Sequence, residues 1–195
     1  VITSGGSNVL LGYRAGQNIS TGDNNIAIGE DASGGATLSG DHNIVLGKDA
    51  GKDLTSGNHN IFLGRQAGKA SDAASGAIFI GRNAGTSNVG GEYGIVIGQS
   101  AGYSAPAICD NIIIGREAGY AGSFANGKYN VIVGMQAGCD VTSGCYNTIY
   151  GHQAGTNLTS GNDNVLVGRN AGSSGAITGG QNVFIGKYAG DDVIS

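Results

Sequence analysis

Residues 43–59 read Asn43-Ile44-Val45-Leu46-Gly47-Lys48-Asp49-Ala50-Gly51-Lys52-Asp53-Leu54-Thr55-Ser56-Gly57-Asn58-His59, and the chain then begins again with Asn60-Ile61-Phe62-Leu63-Gly64-Arg65-Gln66-Ala67-Gly68. The unit is an Asn, three apolar residues, a Gly, two variable residues, an Ala and usually another Gly. It occurs eleven times in 195 residues, with steps of 17 to 19 between successive strand-closing glycines from Gly12 to Gly186. Asn opens nine copies, and Ala77 and Gly94 replace it in the other two. A repeat of this length is the first thing to explain, because it sets the architecture.

Seventeen residues with two fixed glycines are too few for a packed helix pair. They suffice for a short strand, a turn, a second short strand and a return turn, which is one coil of a β-solenoid. Ile and Val dominate the triplets, as strands prefer. Stacked at about 4.8 Å per coil, eleven coils predict a rod about 50 Å long. The expected fold is therefore all-β, a single solenoid domain over residues 1–195. With no initiating Met and a repeat cut at both ends, the chain reads as a fragment of a longer fibre protein.

All three triplet positions are apolar, although side chains in a strand alternate between faces. Positions one and three, such as Ile61 and Leu63, Ile112 and Ile114, or Val165 and Val167, are expected to point inward onto the repeat Ala. Position two then points outward: Leu10, Ala27, Val45, Phe62, Phe79, Val96, Ile113, Ile132, Ile149, Leu166 and Phe184. That stripe is the expected interface of an oligomer, because covering it adds about 2 kcal/mol per coil and removes an unusually large exposed patch. Three rods about one axis would cover it fully, so a homotrimer is expected.

Composition excludes several classes. There are 39 Gly, one Pro and only 12% charged residues, which argues against a helical enzyme domain. Gly does not recur every third residue, so collagen is excluded. The 39% hydrophobic content is too high for a disordered linker. A net charge of -4 does not suggest a nucleic-acid partner. No apolar run approaches the roughly 20 residues of a membrane helix, so no membrane insertion is expected.

Asn25-Ile-Ala-Ile-Gly29 and Asn111-Ile-Ile-Ile-Gly115 make the unit resemble the head repeat of trimeric autotransporter adhesins, the YadA-like head. It is similar also to repeats of phage tail fibres and of large-DNA-virus fibres, including the cell-wall-attachment protein of chlorella viruses. The resemblance covers essentially the whole chain. It implies a trimeric left-handed parallel β-roll on a virion, or on an extracellular bacterial surface, that binds a host cell-surface glycan or receptor. The coils here are longer than the usual adhesin head repeat, and no ligand-binding residue carries over by motif.

Catalytic signatures are absent or accidental. Gly98-Gln99-Ser100-Ala101-Gly102 satisfies a nucleophile-elbow pattern, yet both glycines and the Ala are repeat residues. His42, His59 and His152 occupy different coils without metal-ligand spacing, so no catalytic residue, metal or cofactor is expected. Cys139 and Cys145 flank one turn and are either bridged or reduced. Asn18-Ile-Ser20 and Asn157-Leu-Thr159 match glycosylation sequons. The repeat Asn side chains are read as structural, either stacking as an amide ladder or capping the turn before the strand.

Recognition must then use the variable positions. One candidate is the residue after each strand Gly: Lys48, Arg65, Arg82, Arg116, Arg169 and Lys187. These are either neutralised by neighbours such as Asp49 and Glu117 or form a ladder for anionic glycans. The second is the irregular stretch 99–129, where Tyr103, Tyr120, Phe124 and Tyr129 are candidate sugar platforms. The expected function is noncatalytic attachment to host-surface carbohydrate. The alternatives are a structural spacer and a glycan-cleaving tailspike, for which Asp110 and Glu117 are close in sequence but nothing singles them out.

Overall fold

The computed structural model describes residues 4–124 and 126–191. Eleven strands of three residues form one parallel sheet: β1 (Val9–Leu11), β2 (Ile26–Ile28), β3 (Ile44–Leu46), β4 (Ile61–Leu63), β5 (Ile78–Ile80), β6 (Ile95–Ile97), β7 (Ile112–Ile114), β8 (Val131–Val133), β9 (Thr148–Tyr150), β10 (Val165–Val167) and β11 (Val183–Ile185). Neighbours in the sheet are neighbours in sequence, and each triplet pairs with the next without slippage, as in Ile61↔Ile78, Phe62↔Phe79 and Leu63↔Ile80. The chain is thus a parallel β-solenoid, and no helix occurs among the described residues. The expected second strand is reduced to two isolated parallel bridges, Ile19↔Leu38 and Leu158↔Ile177.

The turns explain the fixed glycines. Gly81 has φ +131°, and a Cβ there would lie 2.6 Å from the Gly98 carbonyl oxygen of the next coil. Only Gly fits such a close backbone approach. Two residues later every coil is left-handed again at a non-Gly position, for example Asp49 (φ 56°), Gln66 (φ 59°) and Ser100 (φ 55°). These positions are mostly polar, the type that best tolerates that region.

The direction of the triplets is the reverse of the sequence expectation. Val45, Phe62, Phe79, Val96, Ile113, Ile132, Ile149 and Leu166 are buried within their own chain, and Leu10 and Phe184 pack half-buried on the same core at the rod ends. They cannot form an interface between chains. The outward residues are positions one and three, with Ile44 36% and Val131 40% exposed. Strand alternation holds, but its phase is set by the Asn at position zero, which is also buried in β2, β3, β4, β7, β8, β9 and β10 coils.

The core has three walls. Position two supplies the first and the repeat Ala, as in Ala50 and Ala118, supplies the second. The third is a column of larger residues: Ile19, Leu38, Leu54, Ile108, Phe124, Val141, Leu158 and Ile177. Volume is shared between walls. In the coils of β4 and β5, where Phe62 and Phe79 stack at 5.1 Å, the third wall carries the smaller Ser71 and Asn88. The exchange belongs to the two Phe coils; elsewhere a branched aliphatic at position two stands with a large third-wall residue, as Ile113 with Phe124 and Leu166 with Ile177.

Candidate binding surface

Parallel in-register stacking turns each variable position into a column of side chains about 4.8 Å apart. The outward faces of β1–β11 give two apolar columns side by side, interrupted at Thr148 and Tyr150. Beside them runs the column after the strand Gly.

That column is not one uniform cation ladder. Lys48 is paired with Glu30 of the preceding coil at 2.9 Å. Arg65 and Arg82 are exposed, and among the described residues neither has a carboxylate within ion-pair distance. Arg116 Nη2 lies 2.7 Å from Met135 Sδ. Arg169 and Lys187 sit over the Tyr188 ring, at 5.8 and 5.0 Å from its centroid. The carboxylates expected to neutralise the column are used elsewhere: Asp49 bonds Lys52 at 2.9 Å, and Glu117 accepts from Gln136 Nε2 at 2.8 Å. Sequence adjacency misled here because Asp49 and Glu117 take the left-handed turn and belong to the next column.

Around that next column lies the densest charge cluster among the described residues. Arg14 grips Asp31 through two nitrogens, at 2.6 and 2.5 Å. The Arg14 hydrogen bonds hold the Asp31 carboxyl below its ordinary value, and Asp31 raises Arg14 in turn. Lys52 is raised chiefly by its hydrogen bond to Asp49. These groups are paired with one another, which leaves Arg65 and Arg82 as the adjacent cations open to an outside anion.

The aromatic candidates separate into three places. Tyr103 and Tyr120 stack at 5.3 Å with planes 10° apart, and Tyr129 stacks on Tyr146 at 5.1 Å in another column. Stacked rings cover one another's faces, so each pair offers edges and hydroxyls rather than a flat sugar platform. Phe124 is 1% exposed and belongs to the third core wall, which removes it as a ligand residue. The stretch 99–129 therefore presents no single aromatic cluster; residue 125 lies outside the described residues.

Other sequence features resolve into the repeat. Ser100 is buried in the same left-handed turn as its ten equivalents, its N–H donating to the Arg82 carbonyl. His42 and His59 stack at 5.0 Å and His152 is far along the rod; no three His, Cys, Asp or Glu converge on a metal-sized site among the described residues. Cys109, Cys139 and Cys145 are free thiols. The sequon amides are spent internally, Asn18 Nδ2 donating to the Gly34 carbonyl at 3.0 Å and Asn157 Nδ2 to the Ser173 carbonyl at 2.5 Å.

Both explanations of the repeat Asn hold together. Asn60 Nδ2 donates to Asn43 Oδ1 at 2.9 Å, continuing a ladder from Asn25, and also to the Ala74 carbonyl in the turn of its own coil. Ala77 ends this ladder, and a second runs from Asn111 through Asn130, Asn147 and Asn164 to Asn182. Sequence reasoning overlooked the third core wall, whose signal is the lone Leu, Ile or Val between successive turns. No known protein family, characterised protein or solved structure matches the chain.

Proposed function

We propose that this chain is a noncatalytic segment of a surface fibre, on a virion or an extracellular cell surface, that attaches to host-surface carbohydrate. Its parallel solenoid is read as left-handed and its working form as a homotrimer, in keeping with the resemblance to adhesin and viral fibre repeats. The outward facing of positions one and three supports reading them, and not position two, as the contact of that homotrimer. The observation that carries the attachment reading is the Arg65–Arg82 pair: exposed, adjacent along the rod and without an ion pair among the described residues. Guanidinium forks suit carboxylate or sulfate groups carried by a linear glycan.

Binding of the fragment to host cell walls and to an array of uronate-bearing and sulfated glycans tests this. Arg65→Gln with Arg82→Gln should weaken binding by about tenfold per lost charged contact. Unchanged binding would refute the ladder, and oligosaccharide released from the array would refute the noncatalytic reading. The unbroken strand register from β1 to β11 favours a second reading, a spacer that lifts another domain outward. A fragment that binds no wall and no glycan would support it.

A further inference from the structure

The outward sheet face has two rims. One is formed by the residue before each Asn position, the other by the residue after each strand Gly. Across the face in the β7 coil, Asp110 stands opposite Arg116; in the β10 coil, Asp163 stands opposite Arg169. Asp110 and Asp163 are the sole carboxylates of the first rim, and both fall where the second rim is an arginine. In the β8 coil, Tyr129 stands opposite Met135, a pairing of ring and thioether. Nowhere does Lys or Arg occupy the first rim, so no coil sets two of these cations across from each other. Among the described residues, none of the four charged side chains has an ion-pair partner.

We infer that this face docks a second copy of the chain, parallel and in the same coil register, turned about an axis that runs along the rod. Such a rotation sets the second rim of one copy against the first rim of its neighbour at the same level, for any number of copies. Asp110 then meets Arg116 of the next chain, and Asp163 meets Arg169. An antiparallel pair with full overlap sets second rim against second rim and brings Arg82 level with Arg116, a like-charge contact, while its one favourable match, Glu30 with Arg169, draws on a carboxylate already paired with Lys48. The apolar columns alone span about 7 Å, but with both rims the width is about 15–20 Å. Over about 48 Å of rod, with the stretch of second rim at Arg65 and Arg82 left uncovered, this is still on the order of 800 Å² per chain, the size of a stable specific interface.

The inference rests on the assembly proposed above and adds its direction, register and pairs. R116D/R169D, D110R/D163R and the four-site exchange of both sets test it by sedimentation, with circular dichroism confirming the fold. Each double reversal should weaken association by about tenfold or more, and the exchange should restore it to near the unaltered chain. Neutral R116Q/R169Q, which adds no new charge, should shift the same way by less and serves where a reversed variant does not fold. Double variants that assemble like the unaltered chain, or an exchange as weak as the doubles, would overturn the register while leaving assembly intact. An unaltered chain that sediments singly would overturn both.

Discussion

The buried Asn residues show how one side chain can hold both the stack and the turn. Asn130 accepts from the Asn147 backbone and side-chain amides at 2.9 and 3.0 Å, and donates to Asn111 and to the Gly144 carbonyl. Asn130→Ala strands several buried polar groups, each worth about 1–3 kcal/mol when left unpaired. It should cost about 3 kcal/mol or more in chemical denaturation. Asn182 is the last rung, half-buried, with no described Asn above it, and Asn182→Ala should cost about 1 kcal/mol. Equal losses would show that the ladder does not work through coupled rungs. The Asn role was legible from sequence as structural. What stayed hidden was that stacking and capping are the same contact set, which depends on the inward direction of position zero.

At the scale of the strand, the spacing of Gly and Asn located all eleven triplets, and the strands coincide with them residue for residue. Their facing was not legible from apolarity, because Ile-Phe-Ile satisfies either phase of the pleat. One coil did carry the answer: Thr148 and Tyr150 flank Ile149, and only the middle residue is suited to a dry interior. The third wall was missed for a different reason. Ile19, Leu54, Val141 and Leu158 follow the strand Gly by seven residues, but Leu38, Phe124 and Ile177 follow it by nine and Ile108 by ten, and Ser71 and Asn88 hold the seventh place in other coils, so no apolar spacing runs through all the repeats. The corrected facing predicts opposite outcomes for adjacent substitutions. Phe79→Ala should cost about 3–5 kcal/mol of stability, read by urea denaturation. Ile80→Asp, on the outward face, should leave the single-chain fold nearly unchanged and abolish self-association. The reverse pattern would restore position two to the outside.

At the scale of the whole molecule, the two outward columns make an apolar face along the rod, broken only at Thr148 and Tyr150 among the described residues and flanked on one side mostly by cations and on the other largely by Tyr, His and Asp. Arg65 and Arg82 face His59 and Gly76 across it, with no carboxylate to pair with in a parallel assembly. In the proposed assembly the charges near Arg116 and Arg169 would be consumed and the β4–β5 region left for an anionic ligand, so that one surface would serve both cohesion and attachment. The candidate site was legible as a column but not in its division, since ion pairing follows the stack rather than the chain. The most direct test is sedimentation equilibrium of the isolated chain at micromolar concentration. A homotrimer gives a single species of three chain masses that the Ile80→Asp change converts to one; a well-folded species of one chain mass, with the Ile and Val columns left in water, would contradict the assembly.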